Sequence, residues 1–237
     1  MNQNKIAITT FFLLSALNII AVLAQWQTVI YLTKPLLMTF LAFWFFINTK
    51  DNTTKFTKYI FIGIIFSLAG DTFLLFVNQG PNFFLLGLGS FLITHIFYIL
   101  AFNKFPNLNL TKGIVSDKKW VFILVVIYLV SFLTYLWNDL PSAFKIAVTI
   151  YGCVISLMLI SAVNLSWRVS PYLSIYIIIG AILFVFSDSV IALDKFKPTI
   201  IPSNIMGFII MTTYIIGQYL IAKNCIEANK EIQKIPL

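Results

Sequence analysis

The chain has 237 residues, of which 60% are hydrophobic and only 10% charged, and its mean hydropathy is +0.95. A water-soluble globule uses about 25% charged residues to cover its surface, so the composition excludes one and indicates an integral membrane protein. The net charge of +8 does not point to nucleic acid. The lysines fall in short polar connections, where anionic lipid head groups and the positive-inside rule account for them.

A membrane-spanning helix needs about 20 mostly apolar residues. Eight segments qualify: Ile6 to Ala24, Ile30 to Ile47, Tyr59 to Val77, Phe83 to Phe102, Trp120 to Trp137, Ile146 to Val163, Tyr172 to Leu193 and Ile205 to Ala222. The connections are short, and the longest, Asn103 to Lys119, is basic and polar. The expected fold is therefore all-α, one eight-helix transmembrane domain over residues 1–237 with no attached soluble domain. The first segment ends in Val22-Leu23-Ala24 before Gln25, which mimics a signal-peptidase site. Its apolar run is longer than the about 7 to 15 residues of a signal-peptide core, so it is read as helix one.

Basic residues orient the bundle. Lys5, Lys50, Lys55, Lys58, Lys104, Lys112, Lys118, Lys119, Arg168, Lys223, Lys230 and Lys234 fall on one side, against Lys145, Lys195 and Lys197 on the other. The asymmetry predicts both termini in the cytoplasm, and the expected location is a bacterial cytoplasmic membrane. A cysteine placed at Lys112 is then expected to be shielded from an impermeant reagent in intact cells; labelling there would reverse the orientation.

The ionisable side chains within the spans are Lys34, Asp71, His95 and Asp188. Each costs roughly 2.5 to 3.5 kcal/mol at membrane depth on insertion scales, so such groups face a cavity or a partner. The aspartates share a context. Gly63 stands eight residues before Asp71 and Gly180 eight before Asp188, and a small hydroxyl, Thr72 or Ser189, follows each. Helix four has Gly87, Phe91 and Tyr98 where helix eight has Gly207, Met211 and Gln218 at the same intervals. A 4+4 parallel pseudo-repeat is one reading, and chance similarity between apolar segments is the other.

Depth and face agree. At 1.5 Å rise per residue, Lys34, Asp71 and Asp188 sit roughly 6 to 9 Å below the non-cytoplasmic helix ends, with His95 deeper. Helical spacing puts Gly63, Ser67 and Asp71 on one stripe; Gly180, Phe184 and Asp188 on a second; Gly87, Phe91, His95 and Tyr98 on a third; and Gly207, Met211, Tyr214 and Gln218 on a fourth. This predicts one polar cavity with the two carboxylates facing each other and Lys34 and His95 in its wall. The structural alternatives are that Lys34 locks one aspartate as an ion pair and that His95 is a hydrogen-bonded interior residue. Asn18, Asn204, Tyr98 and Gln218 serve equally as interhelical hydrogen bonds or substrate contacts, and Asp194 lies at the interface with Lys195 and Lys197. The two cysteines, Cys153 and Cys225, make neither a disulfide framework nor a metal-ligand spacing, and a metal site around His95 lacks a third good ligand. No Ser-His-Asp spacing, nucleotide loop or HExxH motif occurs.

Several of these residues together carry a resemblance. Lys34-Pro35-Leu36, Gly70-Asp71, the set Gly87, Phe91, His95 and Tyr98, then Gly180-Ala181 with Phe184 and Ser187-Asp188-Ser189, and Tyr214 with Gln218 and Leu220-Ile221-Ala222 are similar to the YhhN-like family, which contains the lysoplasmalogenases. The resemblance spans helices two to eight. It implies an eight-span membrane fold that hydrolyses the vinyl ether of a lysoplasmalogen to a fatty aldehyde and a glycerophospho head group. It also implies a lysophospholipid substrate drawn from among membrane lipids, no cofactor or metal, and no nucleic-acid partner.

The residues suit that chemistry. Vinyl ether hydrolysis begins with protonation of the β-carbon, which leaves an oxocarbenium ion for water to attack, so it needs an acid and a base. Asp71 and Asp188 are the catalytic candidates, one donating the proton and the other, ionised beside Lys34, stabilising the cation and activating water, as paired carboxylates do in glycosidases. Lys34, His95, Tyr98, Tyr214 and Gln218 are the substrate-binding candidates, and Lys34 or the interfacial lysines are placed to meet the phosphate. Paired membrane acids with a histidine also describe a small proton-coupled transporter, and a structural or signalling membrane protein is a third class.

Overall fold

A computed structural model describes residues 3–105, 119–197 and 201–233. These residues form eight long helices: α1 Gln3–Leu23, α2 Gln27–Thr49, α3 Lys55–Leu74, α4 Pro81–Lys104, α5 Lys119–Leu136, α6 Ser142–Leu165, α7 Pro171–Phe196 and α8 Ser203–Gln233. All eight are long and apolar enough to cross a membrane, so the chain is an integral multi-pass membrane protein. The basic stretch with Lys112 and Lys118 lies outside the described residues, as does Lys234.

Local chemistry sets the helix ends. At the start of α3, Thr54 Oγ1 accepts from the Thr57 amide at 3.2 Å and the Thr54 amide donates to Thr57 Oγ1 at 2.9 Å, a reciprocal cap. α4 and α7 open on Pro81 and Pro171, where a missing amide hydrogen costs nothing. Pro35 lies inside α2 and has no amide hydrogen to donate to the Tyr31 carbonyl. Arg168 Nη1 donates to the Asn103 and Phe105 carbonyls, both at 3.2 Å, and so closes the C-terminal end of α4.

The largest departure from the expected boundaries is α8, which continues from Ala222 to Gln233. Hydropathy ends at Lys223, but Cys225, Ile226, Ala228 and Asn229 remain buried, so the extension is an amphipathic arm beyond the apolar span. Thr54 Oγ1 donates to Asn229 Oδ1 at 2.9 Å, and Asn229 Nδ2 donates to the Asn52 carbonyl at 2.9 Å. The Ser170 amide, at the start of α7, donates to Glu231 Oε2 at 3.2 Å. The arm therefore ties down the connections at the end expected to face the cytoplasm.

The most extensive helix interfaces are α3 with α4 and α7 with α8. In the second, the backbones touch. A Cβ at Gly180 would lie 2.8 Å from the Gly217 carbonyl oxygen, and one at Gly217 would lie 2.9 Å from that of Gly180. Gly63 makes room in the first interface, where a Cβ would stand 2.4 Å from the Tyr98 ring. Asn18 of α1 donates to Thr33 of α2 at 2.8 Å, and Asn204 of α8 donates to the Leu23 carbonyl at 3.2 Å, which is the interhelical use of both. α5 is peripheral. It leans chiefly on α6, buries only Val125 and Leu136, and turns Phe122, Ile123, Leu124, Ile127 and Tyr135 outward, a surface fit for acyl chains.

Candidate functional site

Three helices converge on Asp188 of α7, which is 9% exposed. The Tyr151 hydroxyl of α6 donates to its Oδ2, and His95 Nε2 of α4 lies 3.2 Å from the same oxygen. His95 Nε2 is also 3.0 Å from the Tyr151 oxygen, so the three side chains close a triangle. Both contacts to the carboxyl use Oδ2, and Oδ1 takes neither. His95 Nδ1 is buried with no partner among the described residues, so the bonding pattern assigns the ring proton to Nε2, which donates.

A narrow groove, with a cavity volume of about 60 Å³, runs between α4, α5, α6 and α7 and reaches this carboxyl. Its walls are mostly apolar, with Leu88, Phe91, Leu129, Phe132, Val148 and Val185 among them, and its polar side chains are Asp188, Tyr151, Tyr128, Ser189 and Ser156. Tyr128 Oη and Ser189 Oγ lie 2.5 Å apart and bridge α5 to α7 across the groove. Phe84 and Phe196 wall its other end.

Asp71 does not line this groove and is 2% exposed. Its Oδ1 is 3.7 Å from Lys34 Nζ of α2, and its Oδ2 accepts from the Tyr214 hydroxyl of α8 at 2.6 Å. Both of its oxygens are therefore engaged. Aromatic rings link the partners of the two acids. The Phe184 ring is 4.7 Å from His95 and 5.5 Å from Tyr214, and the Phe91 ring is 5.9 Å from Tyr214 and 6.2 Å from Phe184. Neither Asp71 nor Lys34 lines the groove, although Leu74, one turn beyond Asp71, does. The stripes suggest one cavity holding both carboxylates, and the groove is lined by Asp188 alone of the two. Phe91 and Phe184 lie on those same inward stripes and pack edge-to-face, with Phe184 against both His95, beside Asp188, and Tyr214, beside Asp71.

Tyr98 and Gln218 belong to a third buried cluster. The Tyr98 hydroxyl donates to Gln218 Oε1 at 2.7 Å, Gln218 Nε2 donates to Ser67 Oγ at 2.8 Å, Ser67 is 3.1 Å from Thr94 Oγ1, and Thr94 donates to the Gly63 carbonyl at 3.0 Å. All four side chains are fully buried and off the groove, where they join α3, α4 and α8. Of the expected site residues, then, His95 accompanies Asp188, while Lys34 and Tyr214 accompany Asp71. Tyr151 escaped the sequence reading. Its one signal was a phenol in the middle of an apolar span, which needs a hydrogen-bond partner at membrane depth.

A family model described as the YhhN family matches residues 29–225, a span that holds both acids and the side chains bonded to them. The chain is 32% identical over 194 residues to lysoplasmalogenase TMEM86A of Bos taurus, covering 79% of this chain and 72% of that protein. It is also 32% identical over 179 residues to lysoplasmalogenase TMEM86A of Homo sapiens, covering 73% of this chain and 68% of that protein. No solved structure matches.

Proposed function

The chain belongs to the YhhN family, and from that premise we propose that it is a membrane-embedded ether hydrolase that cleaves the vinyl ether of a lysoplasmalogen. The observation that carries this reading is the Asp188 carboxyl, with one oxygen left over, set in an apolar groove beside the outermost helix. Such a groove suits a single-chain lipid entering sideways from the bilayer.

In its protonated form Asp188 gives its proton to the β-carbon of the vinyl ether. The C=C electrons form the new C–H bond, and an ether-oxygen lone pair makes the oxocarbenium ion. The carboxylate left behind sits against that cation, held by Tyr151 and the His95 Nε2 proton, and then takes a proton from the attacking water. The hemiacetal so formed loses its hydroxyl proton and breaks its bond to the glycerol oxygen, which is reprotonated. The products are a fatty aldehyde and the glycerophospho head group.

Asp71 works indirectly in this scheme. Ionised beside Lys34, it fixes Tyr214, against which pack Phe91, a wall of the groove, and Phe184 behind it. The purified protein is expected to release aldehyde from a 1-alkenyl lysophospholipid with no metal or nucleotide added, and none from the 1-alkyl analogue, which lacks the double bond. Absence of aldehyde, together with proton movement driven by a solute gradient in vesicles, would favour the proton-coupled transporter instead.

A further inference from the structure

Lys145, Lys195 and Lys197 stand where α5 and α7 end and α6 begins. Lys197 is committed locally. Its Nζ is 2.5 Å from Asp139 Oδ2 and lies over the Tyr135 ring at 4.2 Å, and the Asp139 carboxylate holds its ammonium pKa above the ordinary lysine value. The other two are not. Lys195 Nζ lies over the Phe84 ring at 5.5 Å and Lys145 Nζ over the Trp137 ring at 4.7 Å. Among the described residues neither has a carboxylate within 4.0 Å, Asp194 beside Lys195 included. An ammonium resting on a ring face keeps N–H donors for an anion.

Their position relates to the groove. Phe84, under Lys195, and Phe196, next in the chain, both line it, and Phe144, next to Lys145, lies 5.8 Å and 5.4 Å from these two rings. Asp188 and Lys195 are seven residues apart on α7, so they share a face of the helix about 10 Å apart along its axis. In a lysoplasmalogen five bonds separate the vinyl ether oxygen from phosphorus, about 6 Å when extended at ordinary bond lengths. A phosphate-to-ammonium contact of about 3 Å brings the total close to that spacing.

We propose that Lys195, assisted by Lys145, binds the phosphate of the single-chain lipid whose ether lies at Asp188, with the head group at the phenylalanine end of the groove and the tail leaving past Tyr128. The lipid's identity rests on the lysoplasmalogenase reading, but the phosphate site has its own test. Full-length protein in nanodiscs is titrated with a 1-alkyl lysophosphatidylcholine, which has no double bond to hydrolyse, and with the 1-alkylglycerol of the same chain length. The wild type is expected to bind the phospholipid about 10-fold more tightly, one phosphate contact's worth. Lys195→Gln should remove most of that preference without changing alkylglycerol affinity, Lys195→Arg should keep it, and Lys145→Gln should lose a smaller part. A Lys195→Gln protein that retains the full preference overturns the proposal, as does displacement of the lipid by millimolar inorganic phosphate, which would make this a free-phosphate site. Because neither probe reacts, failure to hydrolyse lysoplasmalogen leaves this result readable.

Discussion

Asp188→Asn is expected to lower kcat/KM for a lysoplasmalogen by about 10²- to 10⁴-fold while leaving the melting temperature unchanged or slightly raised. The amide keeps the carboxyl's shape, and its oxygen still accepts from Tyr151. It has no proton to give to carbon and no negative charge to set against the oxocarbenium ion, so both functions fail in one substitution. Aldehyde release measured beside thermal unfolding in detergent checks this. A variant that keeps more than about a tenth of the wild-type rate, less than the smallest loss typical of a missing general acid, would remove Asp188 from the chemistry.

Asp71→Asn is expected to act first on stability. Breaking a fully buried ion pair costs about 3 to 5 kcal/mol; Lys34 is 15% exposed, so we expect a loss nearer to about 2 kcal/mol. The melting temperature and expression fall, and activity falls with the amount of folded protein. Adding Lys34→Met should recover most of the loss, because the uncompensated ammonium is then gone. Melting curves of the wild type and of the single and double variants decide it. If Asp71→Asn abolishes turnover at an unchanged melting temperature, both acids act on the substrate and the paired-carboxylate scheme applies.

The bundle was legible because a span of about 20 apolar residues leaves a hydropathy signal that needs no tertiary context. The α8 arm beyond Ala222 left none of that kind, since it is held by Asn229 and Glu231 contacts to distant connections. Lys34, Asp71, His95 and Asp188 stood out for the same reason that they are held by partners: a charge at membrane depth is costly. The partners themselves were harder to read. Lys34 could be assigned to either acid from sequence, and the structure gives it to Asp71. Tyr151 looked like any other aromatic residue of an apolar helix, because its bond to Asp188 crosses from α6 to α7. That the groove reaches Asp188 and not Asp71 depends on ring packing. Helical spacing places Phe91 and Phe184 on the inward stripes, yet it does not tell whether they line a shared space or fill it.

The central claim is that the reaction begins with protonation of the vinyl ether carbon, and hydrolysis in D₂O tests it most directly. The purified protein is given a 1-alkenyl lysophospholipid in D₂O, and the aldehyde is trapped by reduction as it forms. The scheme predicts one deuterium on the carbon next to the former carbonyl, since each turnover reloads the Asp188 proton from solvent. Aldehyde carrying no deuterium at that carbon would contradict it.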